Sequence, residues 1–236
     1  MQGKPKKIMS PTLRIFPIFN FMTQTFLKQL FYLAVLTQPV LAQRLAPGFD
    51  KTEYIETLKI NQKAHIPLDQ WAGSKVLPDP QDYQFIFRSP VVAFDNIWDL
   101  WKHSTRPVAL IAVRGSIQTE ASFLANLYAA MIPAKGELEL DKNFKFSYAL
   151  SNQANAALHV GWLVAMAYLS RSIEHKIDSC YKAGIKDFIL TGHSQGGGIT
   201  FLLTAYLESL KSQNKLPADI QFKTYSIVDE RSAAFC

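Results

Sequence analysis

The residues best placed to do chemistry are Gly192-His193-Ser194-Gln195-Gly196, a G-x-S-x-G pattern. Apolar Phe188–Leu190 leads into it, and Ile199–Leu207 follows with helical spacing. Strand, sharp turn and helix in that order form a nucleophile elbow. The chain reverses so tightly around the serine that the residues two before and two after it must lack a Cβ. The reversal would hold the Ser194 hydroxyl above a sheet. It would also set the Gln195 N–H at a helix N-terminus, facing developing negative charge. The bland alternative is a small-residue turn between a strand and a helix.

A serine nucleophile needs a base to take its proton and an acid to orient that base. In this type of site the chain order is Ser, then Asp or Glu, then His. The five histidines are His65, His103, His159, His175 and His193, and all precede Ser194. The acids beyond the elbow helix are Asp219, Asp229 and Glu230. Asp229 follows the last expected strand, at the sheet edge where an acid belongs. The expectation is a chain with a nucleophile and a candidate acid but no base, hence weak or no turnover.

The elements that must position these groups read as alternating strands and helices, the pattern of an α/β fold with a largely parallel sheet. Asp50 caps an expected helix Lys51–Asn61, with Tyr54, Ile55 and Leu58 as its apolar stripe. His65 reads as a solvated loop residue. Tyr83–Phe87 alternates as a strand, with Val91–Phe94 as its expected partner after Pro90. Trp98 and Trp101 read as packing residues. Pro107–Val113 is a continuous apolar run, typical of a strand buried on both faces. Ile117–Ile132 has helical spacing and reads as core-facing. Asn143–Tyr148 reads as an edge or hairpin strand. A long helix opens near His159–Trp162 and stops at Gly184. Ile220–Val228 is the last strand.

Composition bounds the function. Apolar content of 48% with 19% charged residues is globular. Of the net charge of +6, Lys4, Lys6, Lys7, Arg14 and Lys28 supply five, and no acid lies among residues 1–42. The remainder carries +1, which argues against nucleic acid as a partner. Residues 1–42 read as a signal peptide: a charged region, an apolar run at Leu30–Leu36, and Val40 and Ala42 at the small-residue site. Met22 would start a more ordinary one, making 1–21 an upstream extension. Export to the periplasm or outside the cell, with cleavage after Ala42, is the expectation. An N-terminal anchor helix is the alternative. Cys180 and Cys236 read as free thiols, although export would permit a disulfide.

Three stretches in order, Ile111–Ser116, His159–Trp162 and Leu190–Gly198, resemble the fungal-type class 3 lipases, over roughly residues 83–228. The resemblance implies an α/β-hydrolase fold with helices on both faces of the sheet. It implies a monomeric carboxylic ester hydrolase acting on acylglycerols, with no cofactor and no metal. Carried over, Ser194 is the nucleophile, and the Ser116 and Gln195 N–H groups form the oxyanion hole. Gly192 and Gly196 are the elbow glycines. His193 and His159 are structural. The stretch after Ser116 occupies the position of the family's lid. Asp229–Cys236 lacks the Pro and Gly of the family's acid-bearing turn, so residues 43–236 read as a lipase-like domain truncated at its C-terminus, with the last strands missing. A non-catalytic protein that binds lipid or another apolar ligand on the same fold is the competing reading.

Overall fold

In the computed structural model, residues 45–72 and 78–227 are described. The leader 1–42, its cleavage site, Asp229 and Cys236 lie outside the described residues.

The central element is β3 (Val108–Val113), buried at all six positions. Beside it in parallel lies β8 (Asp187–His193), pairing Val108 with Asp187 and Val113 with Gly192. On the far side of β8, β9 (Gln221–Ile227) runs parallel as well. On the other side of β3 come β2 (Trp98–His103) and β1 (Tyr83–Arg88), both in antiparallel pairings, to give the order β1-β2-β3-β8-β9. The sheet thus has a parallel core and an antiparallel flank. Two small antiparallel pairs stand apart: β4 (Met131–Pro133) with β7 (Ala157–His159), and β5 (Lys135–Asp141) with β6 (Phe144–Ala149).

Helices cover both faces. On one, α3 (Val160–Lys182) and α4 (Gln195–Ser212) bury Leu163, Met166, Ile173, Ile199 and Leu203 against Ile111, Phe188 and Leu190. Each such side chain, taken fully out of water, contributes about 1.5–3 kcal/mol. On the other face, α1 (Lys51–Ala64) lies over Leu110, Ala112 and Ile189. Asp50 caps α1 as expected, its carboxylate accepting from the Thr52 and Glu53 N–H groups at 2.8 and 2.9 Å.

The face that α1 buries is not the expected one. Ile55 and Leu58 are exposed, and Glu53, Glu56, Thr57, Ile60, Asn61 and Lys63 are buried. The sheet beneath explains this, because it presents polar partners. Asn61 donates to Thr191 Oγ1 at 2.9 Å, and Glu53 accepts from Lys223 and from the Tyr225 hydroxyl. A hydrogen-bonded polar interface replaces the apolar stripe, with Asn61 Oδ1 left without a partner. Val91–Phe94 is likewise not the partner of β1. It forms a turn closed by the pair Val92 and Asn96, with Phe94 and Asp95 at positive φ, and β2 pairs with β1 instead. Trp98 and Trp101 are packing residues on that strand.

The stretch 117–132 is also shorter in helix than its spacing implies. Only α2 (Glu120–Leu127) is helical, capped by Thr119, and Met131 and Ile132 belong to β4. Its large apolar side chains do not face the core. Phe123, Leu124, Leu127, Tyr128 and Met131 are 47–76% exposed. What α2 turns inward is small or polar: Ser122 and Ala125 are buried.

At the antiparallel flank, Arg88 grips the buried carboxylate of Asp99 with two bonds, at 2.7 and 2.8 Å. Burial pushes the Asp99 pKa up, against the opposing pull of Arg88. Removing one partner of such a pair strands a charge in the core. Arg88→Met is expected to lower unfolding free energy by about 3–5 kcal/mol, measured by urea titration. A change below 1 kcal/mol would mean that the pair behaves as a surface one.

Candidate active site

The parallel strands β3 and β8 end side by side, and the candidate groups gather at that edge. β8 enters a turn at Ser194, whose φ of 55° and ψ of −126° place a non-glycine residue in a sparsely populated backbone region. The turn is held from both sides. The Ser194 N–H donates to the Ile227 carbonyl at 2.8 Å, and the Ser194 carbonyl accepts from Gly197 and Gly198 at the start of α4. A Cβ on Gly192 would collide with the Gly196 carbonyl, so the expected collision across the elbow is present. Gly196 has a different reason to lack a side chain. Its Cβ would meet the Val113 carbonyl and the Arg114 backbone at the end of β3. The second glycine therefore brings the elbow against the neighbouring strand.

Gly115 makes the third close approach. A Cβ there would strike the His193 carbonyl. The chain from β3 is thereby pressed onto the elbow, and Ser116 arrives next to Gln195: the Ser116 hydroxyl donates to Gln195 Oε1 at 3.3 Å. Gln195 is the first residue of α4, so its N–H has no acceptor within the helix. Ser194 itself is half-buried.

A polar cluster absent from the sequence reading ties this edge to α2. Asn126 donates to Ser116 Oγ at 3.0 Å and accepts from the Trp162 indole N–H at 3.1 Å. The buried Gln195 side chain reaches the Ser122 carbonyl at 3.4 Å, and Ser122 Oγ accepts from the Ile117 N–H at 3.0 Å. His159, the N-cap of α3, accepts from the Trp162 N–H through Nδ1. That leaves the proton on Nε2, which donates to the Asn126 carbonyl at 3.3 Å. Acceptance at Nδ1 requires the neutral ring, and desolvation holds its pKa below the usual imidazole value against the pull of the Asn126 bond. His159 is thus a helix cap.

The remaining candidates are placed as follows. His193 ends β8 and is exposed. Arg114 donates to the Asp95 carbonyl at 2.5 Å. Cys180 is a free thiol on α3, its pKa raised by burial. Among the described residues, no imidazole hydrogen-bonds the Ser194 hydroxyl, and no group of His, Cys, Asp and Glu could hold a metal ion. β9 ends at Ile227, which bonds the Ser194 N–H. Asp229 follows two residues later in the sequence.

Two measurements test this geometry without any substrate. Strain at a residue such as Ser194 costs on the order of 1–3 kcal/mol. Ser194→Gly is therefore expected to raise stability by about 1 kcal/mol, read from thermal melts; a loss would show that the turn is unstrained. The second concerns protons. His65, His103 and His159 all have pKa values lowered, first by desolvation. The unfolded chain then binds protons that the folded one refuses, so stability falls as pH drops through about 6.5. Asp99 and Glu174, whose pKa values burial raises, act in the opposite sense. The contribution of one histidine is therefore read as a difference. His159→Asn is expected to reduce the loss of melting temperature between pH 7.5 and 5.5, and an unchanged loss would contradict the neutral cap.

The sequence profile described as lipase (class 3) matches residues 110–228, half of the chain. No curated protein gives a match. Among solved structures, the fold is similar to a fungal lipase in complex with an inhibitor, at 15% identity and a TM-score of 0.51 over 73% of this chain and 60% of that one. It is similar to the triacylglyceride lipase of Rhizomucor miehei, at 16% identity and 0.51, over 77% and 63%. A lipase from Rhizopus microsporus var. chinensis gives 15% and 0.51, over 80% and 63%. The chain spans about three fifths of the length of these solved lipases. At such identity the likeness speaks for the fold alone, an α/β-hydrolase sheet. The matched segment runs from the central strand through the elbow to the end of β9, and on that match the chain belongs to the class 3 lipase family.

Proposed function

We propose that this chain carries the nucleophile and oxyanion arm of a serine hydrolase for lipid esters. Attack by Ser194 Oγ on an ester carbonyl would place the developing oxyanion toward the Gln195 and Ser116 N–H groups. Such donors act without reorganising when they are fixed before the charge appears. The observation that carries the reading is the Ser194 backbone, turned to positive φ between two glycines that admit neighbouring carbonyls. Asp229 is the proposed acid, supported by the hydrogen bond between Ile227 and Ser194. The proposal includes export, with removal of residues 1–42.

The exposed apolar face of α2 supports a lipid substrate. Five large apolar side chains on one short segment make a patch suited to a lipid surface. Its inner face is bonded to Ser116 and Gln195, so movement of α2 would reach the oxyanion arm directly. The same patch favours the second reading, a protein that binds lipid without turning it over.

The 236 residues place no histidine after Ser194. Without a base, an oxyanion hole and binding alone give about 10³–10⁴-fold over water. The test is hydrolysis of a chromogenic short-chain ester, alongside binding to phosphatidylcholine vesicles. The expected result is weak turnover that Ser194→Ala changes little, with vesicle binding reduced by Leu127→Asp. Fast turnover abolished by Ser194→Ala would show that the chain recruits a base of its own. Vesicle binding that survives Ser194→Ala, with no turnover at all, would establish the binding protein. Neither turnover nor binding would remove both readings.

A further inference from the structure

One histidine outside the proposed chemistry lies against the oxyanion arm. His65 closes α1 as its C-cap. The sequence suggests a solvated loop residue, and the residue is exposed, but the backbone that carries it is fixed. The carbonyls on either side of it are pinned by one guanidinium: Arg88 donates to Ile66 O at 2.7 Å and to Lys63 O at 3.1 Å. Arg88 is in turn anchored by both oxygens of Asp99, which has no exposure. This chain of bonds runs from the sheet interior to the end of α1. It leaves His65 Cε1 only 3.6 Å from where a Cβ on Gly115 would stand. The space that a Gly115 side chain would fill is thus closed by the His193 carbonyl, with the His65 ring beside it.

We infer that His65 is a positioning residue: carried on backbone that Arg88 and Asp99 clamp, its ring backs Gly115 and holds the Ser116 amide in place beside the elbow. The inference rests on the reading of Ser116 as an oxyanion donor. The ring does this only while uncharged, because its surroundings are cationic. Arg114 lies beside it on the arm and Arg88 on β1. Asp99 on β2 has both oxygens committed to Arg88. A proton on His65 would add a positive charge beside Arg114 and Arg88, and the arm would be pushed off the elbow. The direction of its pKa agrees: desolvation first, then Arg114, His193 and Arg88, hold it below the ordinary imidazole value.

The test is a pH titration of the full isotope-labelled chain, followed by NMR. The His65 ring should titrate below the free-imidazole midpoint, and the Gly115 and Ser116 amide resonances should move with the same midpoint. In His65→Gln that step should vanish while the melting curve stays cooperative. Arg88→Lys keeps the charge but cannot make the forked bonds, and should reduce the size of the step. Amides that stay still while the ring titrates would overturn the proposal, as would a step that persists in His65→Gln, which would trace it to His193 or His159. A parallel arm measures covalent labelling of Ser194 by a fluorophosphonate. Its rate should fall across the His65 midpoint in the wild type and not in His65→Gln; labelling that falls equally in both would also overturn the proposal. A chain unlabelled at every pH would show a Ser194 that no base activates, and the amide titration would still decide the role of His65.

Discussion

The structure depends on how closely three backbone segments approach one another at the parallel edge of the sheet. The Gly196 backbone lies against the Val113 carbonyl, Gly192 against the Gly196 carbonyl, and Gly115 against the His193 carbonyl. None of these approaches survives a methyl group. Together they force β8 to reverse at Ser194 and bring the end of β3 alongside the reversal. Placement of the hydroxyl, the first amide of α4 and the Ser116 arm follows from that packing. The nucleophile is made by sterics before any electrostatics act on it.

Around this constraint the protein distributes polar and apolar surface in an unusual order. α2 keeps its polar side inward, where Ser122 and Asn126 bond the oxyanion arm and the Trp162 indole, and leaves its apolar side to solvent. α1 does likewise, docking by Asn61, Glu53 and Glu56 and exposing Ile55 and Leu58. In a buried polar network every member needs a partner, which fixes geometry more strictly than apolar contact does. Both helices that reach the candidate site are held in this way. Their positions are specified by hydrogen bonds to the elements that carry the chemistry.

Much of this was legible in the sequence, and the failures share one cause. The elbow, the buried run of β3, the Asp50 cap and the long helix after His159 are local patterns, and each appears where the residues imply. Periodicity failed where burial is polar. The stripe of Tyr54, Ile55 and Leu58 was read as the inner face of α1 because apolar residues usually face the core; the partners that invert it, Lys223, Tyr225 and Thr191, are more than 120 residues away. For the same reason Ile117–Ile132 read as one core helix. The roles of Asn126 and His65 carry no local signal, since each exists only through contacts with Ser116 or Gly115 across the fold. A polar residue at a helical position beside a small-residue turn is the one hint that could have been followed.

The central claim is geometric, and a crystal structure of this chain, at a resolution that shows ordered water, tests it most directly. The account predicts Ser194 at positive φ, with its hydroxyl and the amides of Ser116 and Gln195 converging on a single point about 3 Å from each. Ser194 at ordinary helical angles, or a hydroxyl directed away from the Ser116 amide, would contradict it.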